Sequence, residues 1–224
     1  MVLICDHAGQ RIPRRLEDLG LNAADLDRHI AWDVGAAGLA RRLADLLGAE
    51  LILQAYSRLV VDCNRDPSSP DIAPEISDGS VIPANAGLEE AALKARIEAI
   101  HTPYHLAIAA ALDRSGEKTT LVSVHSFTPS MNGFERPWHV GVLHSHDSPV
   151  SERMLRVLGG EGDLVVGDNQ PYAMDGIDYT IPRHAKVRGL DYLELEIRQD
   201  LIADEAGQQR MAFRLAPLIA SALG

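Results

Sequence analysis

The chain is poor in the features that mark several protein classes. It holds two cysteines, Cys5 and Cys63, each in or beside an apolar run. That is too few for a disulfide framework, so both are expected as buried, reduced thiols. No apolar run approaches the ~18 residues of a membrane span, and no charged-then-apolar leader opens the sequence, which predicts a cytoplasmic protein. Positive charge is scarce: 21 Lys and Arg stand against 32 Asp and Glu, a net charge of −11. An acidic surface argues against nucleic acid and anionic membrane as partners, but leaves room for a small anionic ligand held by locally gathered arginines. Internal repeats, low-complexity tracts and linkers are missing, as are a GxGxxG turn, a P-loop lysine motif and a GxSxG elbow. With 224 residues, 46% of them hydrophobic, one domain over residues 1–224 is expected, large enough to need no staples.

What is present begins with two strands of one design. The run 121–124 (Leu-Val-Ser-Val) is short, branched and bounded by polar residues, and delivers His125 where the strand should end. The run 2–5 (Val-Leu-Ile-Cys) does the same for His7, with Gly9 free to form a tight turn. Ligands bind at the carboxyl ends of strands in open α/β sheets. Two histidines so placed could begin a zinc site, or each could be satisfied by a backbone carbonyl. A third strand is expected over 57–65, ending in Asn64-Arg65, and a second over 50–56. Arg58 and Arg65 are candidates for a carboxylate clamp, or for structural ion pairs with Asp62 or Asp66.

Helices are expected from Asn22, from Asp33 to Gly48, over 88–113 with Pro103 as a possible kink, over 150–158, and from Asp204 to Leu223. Asp33 has two readings, helix N-cap or carboxylate metal ligand at the helix mouth. Gly35 and Gly38 fall near one another on a face suited to close approach to the sheet. The stretch 68–87, rich in Pro, Ser, Asp and Gly, reads as a lid or specificity loop over the strand ends. His101, Tyr104 and His105 are packed helix residues or pocket walls, and His144/His146 alternate at a strand end. Asn169 and Tyr172 are hydrogen-bond donors or turn residues, and His184 sits in a short helix ending at Gly189. The segment 192–200 alternates: Leu193, Leu195 and Ile197 share one face, Glu194, Glu196 and Arg198 the other. Two carboxylates on a buried face would be costly. Glu196, nearer the strand end, is the better candidate for moving protons in metal-assisted hydrolysis.

These segments together resemble the N-formylglutamate amidohydrolase family. The resemblance is carried by residues 7–13 (HAGQRIP), 32–36 (WDVGA), 57–65 (SRLVVDCNR), 124–127 (VHSF), 167–172 (GDNQPY) and 196–201 (EIRQDL). It implies an α/β fold, a mixed β-sheet sandwiched by helices, similar to zinc exopeptidases such as carboxypeptidase and succinylglutamate desuccinylase and to phosphorylase/hydrolase-like architectures. It implies one Zn2+ per chain, with His7 and His125 as ligands. The carboxypeptidase pattern has Glu three positions after the first histidine; Gln10 stands there, so Asp33 is the favoured third ligand and Gln10 the fallback. It implies Asn64 and Arg65 for the substrate carboxylate, Glu196 as general base, Arg58 on the oxyanion, and Asn169, Tyr172 and His184 completing the pocket. The implied substrate is a small anionic N-acyl amino acid, N-formyl-L-glutamate first. Another N-acyl amino acid, a γ-glutamyl peptide, or a non-catalytic ligand-binding role are the alternatives.

Overall fold

The computed structural model describes residues 1–116, 118–145, 147–174, 176 and 178–224. In chain order these form β1 (Val2–Cys5), α1 (Ala23–Leu26), α2 (Ala36–Leu47), β2 (Glu50–Leu53), β3 (Ile76–Ser77), β4 (Ser80–Val81), α3 (Glu90–Arg96) and α4 (Thr102–Ser115). There follow β5 (Leu121–Phe127), β6 (Ser130–Met131), β7 (Phe134–Glu135), β8 (Val140–Leu143), α5 (Pro149–Gly159), β9 (Val166–Asp168), α6 (Thr180–His184), β10 (Tyr192–Arg198) and α7 (Glu205–Leu223). Six strands make a mixed sheet in the order β2-β1-β5-β10-β8-β9. The first four run parallel; β8 runs antiparallel to β10, and β9 parallel to β8.

Strand alternation divides the core in two. Leu3, Cys5, Val122, Val124, Leu193, Leu195 and Ile197 pack on one face against α2, α5 and α7. Val2, Ile4, Leu121 and Tyr192 pack on the other against α4, α6 and the long connections. Helices thus cover both faces, as a mostly parallel sheet requires. Among the described residues, no helix is long and apolar enough to cross a membrane.

Local signals account for most elements. Asn22 and Asp204 cap α1 and α7 by accepting from Asp25 N and Gly207 N. Gly48 ends α2 in the left-handed region. Pro103, lacking an N–H, opens α4 directly after a π-helical turn, Ile97–His101, that joins α3 to it without a break.

Four expectations are corrected. Residues 57–65 are not a strand. Ser57 Oγ accepts from Leu59 N, Ser57 O from Val60 N, and Asp62 Oδ1 from Asn64 N. These local bonds fold the segment into turns and displace a sheet ladder, although Leu59, Val60 and Val61 are buried as their apolarity demands. Asp33 does not cap α2; Gly35 holds that position at φ +80°. Gly35 and Gly38 meet Ile202 and Gln208 rather than the sheet. The 68–87 stretch has structure: β3 and β4 pair around an Asp78-Gly79 turn with φ of +42° and +79°. Arg28 clasps that hairpin, donating to Asp78 Oδ2 at 2.6 Å and to Ser80 Oγ at 2.6 Å.

On the second face a chain of histidines binds the 63–65 backbone. His105 Nε2 donates to the Cys63 carbonyl at 2.9 Å, so its Nδ1 is the acceptor for His184 Nε2 at 2.8 Å. His101 Nε2 donates to the Arg65 carbonyl at 3.0 Å. This network needs neutral imidazoles, and burial pushes His105 down to about 3 and His184 down to about 4. His184 therefore packs behind the 63–65 segment, through His105. Both cysteines are buried and reduced.

Two predictions follow from this packing. A Cβ at Gly141 would lie 2.0 Å from the Gln170 carbonyl, so Gly141→Ala should destabilise by about 1–3 kcal/mol; an unchanged urea midpoint would contradict the close crossing. The second concerns pH. An unfolded histidine titrates near 6.5, while this pair stays neutral in the fold until about pH 4 and about pH 3. The unfolded state then holds more protons between those limits. The pair costs nothing above pH ~6.5, and stability falls as pH drops below it, by up to about 1.4 kcal/mol per pH unit for each proton. His184→Gln should flatten this slope between pH 6.5 and 4.5; identical slopes would show that the pair is not buried neutral.

Candidate metal centre and substrate cavity

The parallel strands β1, β5 and β10 point their carboxyl ends to one edge, where the second face changes from apolar to polar. In register, Glu194 lies beside Ser123 and Glu196 beside His125. Asp6 and His7 follow β1 at the same edge. Asp6, His7, Asp33, Asp62, His125, Glu194 and Glu196 are all buried, between 1% and 6% exposed. Seven titratable groups so deeply buried must compensate one another or bind something charged.

Asp33 is the hub. Its Oδ2 accepts from His125 Nδ1 at 2.9 Å, and its Oδ1 lies 3.4 Å from His7 Nδ1. Each imidazole is gripped from behind by a second carboxylate. His7 Nε2 donates to Asp62 Oδ1 at 2.7 Å, and His125 Nε2 lies 3.2 Å from Asp6 Oδ2. Arg58 in turn holds Asp62 through Nε and Nη2, at 3.0 and 2.8 Å. Thr180 Oγ1 donates to Asp6 at 2.7 Å. Both Nδ1 atoms are thereby turned toward Asp33, and the ligand atoms of His7, Asp33 and His125 lie within 4.8 Å of one another. Among the described residues His7 Nδ1 is buried without a hydrogen-bond partner. A buried, orphaned nitrogen beside a carboxylate and a second imidazole suits a metal ion, and carboxylates behind metal-binding histidines are the usual means of fixing tautomer and ring.

The electrostatics favour positive charge at this point. Burial works to raise Asp33, but the His7 charge, the hydrogen bond from His125 and the His125 charge hold it far below the carboxylate range. Burial likewise opposes Asp6, which hydrogen bonding to His125 and the two imidazoles bring down to about 2. Burial lowers His125, yet Asp33 and Asp6 raise it well above an ordinary histidine. The two glutamates differ. Burial pushes Glu196 up to about 8, against the pull of His125 and with the help of Asp33. Burial, the Asp178 charge and other carboxylates raise Glu194 well above the ordinary carboxylate range, against the pull of His125. One oxygen of each, Oε2, is buried with no hydrogen-bond partner among the described residues.

A cavity of about 480 Å³ opens over this cluster. Its walls include His7, Asp33, His125, Arg58, Asn64, Arg65, Tyr172, Glu194 and Glu196, and the β3–β4 hairpin contributes Ile76, Ser77 and Asp78. The expected residues thus divide. His7, Asp33, His125, Glu196, Arg58, Asn64, Arg65 and Tyr172 converge. The Asn64 amide is largely committed, accepting from Tyr179 N and Thr180 N and donating to Asp178. Three others do not line the cavity. Gln10 is exposed. Asn169 does turn work at φ +51°, its Oδ1 accepting from His144 N. His184 lies behind, on His105. His144 donates to Asp168 at 2.8 Å, while His146 lies outside the described residues.

Asp6 and Asp62 were not singled out as histidine partners from the sequence. The signals were faint: a carboxylate directly before His7, and an aspartate four positions after Arg58.

The model of the family described as N-formylglutamate amidohydrolase matches residues 1–203. A gene product of Agrobacterium tumefaciens of known crystal structure is similar at 41% identity with a TM-score of 0.94, over 99% of this chain and 89% of that one. The N-formylglutamate amidohydrolase of Ralstonia eutropha shares the fold at 19% identity with a TM-score of 0.66, over 99% of this chain and 92% of that one. Among curated proteins, none matches. The family match spans nearly the whole length and includes every element that brings the cavity walls together, and the chain belongs to the N-formylglutamate amidohydrolase family.

Proposed function

We propose that the protein is a zinc-dependent amidohydrolase that cleaves the amide bond of a small N-acyl amino acid, N-formyl-L-glutamate first, to formate and L-glutamate. The observation that carries this reading is the pair of imidazoles whose Nδ1 atoms both turn to Asp33 while carboxylates hold them from behind. His7, Asp33 and His125 would hold the ion, in a centre whose carboxylates already favour positive charge. A zinc ion bound there supplies a Lewis acid for the carbonyl and makes a water nucleophilic near neutral pH.

The chain's own residues do the rest. Among the described residues Glu196 Oε2 has no hydrogen-bond partner, and its basicity, pushed up to about 8 by burial, suits proton transfer at neutral pH. It takes a proton from the attacking water and delivers one to the departing nitrogen as the C–N bond breaks. Arg58, braced by Asp62, offers a guanidinium beside Asp33 for charge developing on the carbonyl oxygen. Arg65, with Asn64 beside it on the cavity wall, gives the amino-acid carboxylate a cationic partner and so fixes the scissile bond in place. The β3–β4 hairpin borders the same space and narrows it to small substrates.

Elemental analysis of the purified protein should find about one zinc per chain, lost in His125→Ala. No metal after incubation with zinc would overturn the mechanism and favour a ligand-binding protein. Asp6→Asn and Asp62→Asn should each weaken zinc binding about 10–100-fold; unchanged affinity would mean the carboxylates do not orient the imidazoles. Glu196→Gln should retain zinc yet lose at least about 100-fold in kcat, and full activity would remove Glu196 as the base. Among N-formyl, N-acetyl and N-succinyl amino acids and γ-glutamyl peptides, N-formyl-L-glutamate should give the highest kcat/KM; a better substrate elsewhere in the panel would reassign the acyl group or amino acid.

A further inference from the structure

Among the described residues two buried cations, Arg96 and Arg136, stand outside the machinery described so far, and of the two Arg136 is the one that hydrogen-bonds residues of the cavity wall. Arg136, directly after β7, is only 7% exposed. Its Nη1 donates to the Thr128 carbonyl at 3.4 Å, to Thr128 Oγ1 at 3.0 Å and to the Tyr172 hydroxyl at 3.1 Å. Its Nη2 meets Met131 Sδ at 3.1 Å. The guanidinium lies 4.9 Å from the Tyr172 ring centre and 5.9 Å from that of Phe127. Every one of these partners is neutral, and among the described residues no carboxylate pairs with it. Stacking recovers a little, but an arginine buried among neutral groups is costly.

Arg136 does not itself line the cavity, whereas Phe127, Thr128, Met131 and Tyr172 do. It therefore reaches the cavity through what it holds. The Tyr172 oxygen accepts from the guanidinium, which leaves the hydroxyl's own proton to be donated elsewhere. Among the described residues that hydroxyl has no acceptor. The phenol shares the cavity wall with Glu196, Asp33 and Arg58.

We propose that Arg136 and Tyr172 form a donor relay: the guanidinium holds and polarises the phenol, and the phenol donates its hydrogen to the scissile carbonyl oxygen as that oxygen gains negative charge. This rests on the amide-hydrolysis reading above. Tyr172 is then a catalytic residue and Arg136 a positioning residue. No proton changes owner in the step. The phenol's hydrogen bond strengthens as the carbonyl carbon becomes tetrahedral and weakens when the C–N bond breaks, while Glu196 carries the protons.

The test has two arms, both on the zinc-loaded full chain. In the first, tyrosine labelled with 13C at the ring carbon bearing the hydroxyl is followed by NMR, the Tyr172 signal being assigned by its loss in Tyr172→Phe. Arg136→Met should shift this signal and raise the pH at which it titrates, and Arg136→Lys should do so less. In the second, Tyr172→Phe and Arg136→Met should each lower kcat about 100-fold with little change in KM, Arg136→Lys should recover part of the loss, and the double variant should be no worse than the poorer single one. Should Arg136→Met fail to fold, Tyr172→Phe and Arg136→Lys, singly and combined, carry both arms. A Tyr172 signal indifferent to position 136, or kinetic losses that multiply, would overturn the relay and leave Arg136 as packing for β6 and β7. A wild-type protein that hydrolyses no N-acyl amino acid while the NMR coupling persists would overturn the amide-hydrolysis reading, and with it the carbonyl oxygen as the acceptor.

Discussion

The structure depends on Asp33 sitting between two imidazoles in the interior. A buried carboxylate with one oxygen 2.9 Å from His125 Nδ1 and the other 3.4 Å from His7 Nδ1 ties the loop before α2 to the ends of β1 and β5. Such a group is tolerable inside a protein only when positive charge or hydrogen bonds surround it. Compensation then propagates outward. His7 requires Asp62, Asp62 requires Arg58, and His125 requires Asp6, which Thr180 supports from α6. The polar layer of the site and the packing of the connections around it are one network.

The sheet supplies the rigidity that this network needs. β1, β5 and β10 are flanked on both faces, so the side chains at their carboxyl ends have little freedom. The register of β5 with β10 sets Glu196 beside His125, a base candidate and a metal-ligand candidate on neighbouring backbones rather than on loops. Gly141 on β8, opposite Glu196 in the antiparallel register, lets the Gln170 segment cross closely, and two residues later that segment brings Tyr172 to the cavity. A small residue on one strand thus decides where an aromatic on another element stands.

Much of this was legible from local chemistry. The apolar runs at 2–5 and 121–124, the alternation at 192–198, and the caps at Asn22, Gly48 and Asp204 became the expected elements, because each signal acts within a few residues. His7, His125 and Glu196 could be singled out because a polar residue near the carboxyl end of a buried strand is unusual. The failures share one cause. Residues 57–65 have strand composition but fold as turns, because Ser57 and Asp62 bond their own backbone. Asp33 has the residue type and position of a cap, yet distant imidazoles compete for its oxygens and win. Asn169 and His184 have donor side chains, but those donors and acceptors are spent on His144 and His105.

The sequence by itself determined the α/β class, the placement of the sheet's main strands and helices, and two histidines near the carboxyl ends of strands, His125 standing two residues inside β5 rather than at its end, since these follow from periodicity, capping and turn chemistry. Only the tertiary structure decided which carboxylate serves which imidazole. His7 and Asp62 are 55 residues apart, Asp33 and His125 92, and Asp6 and Thr180 174. No local preference encodes such pairings. They arise because the crossing connections deliver those groups to one strand edge, where buried charge has to be answered by whatever the fold brings within reach.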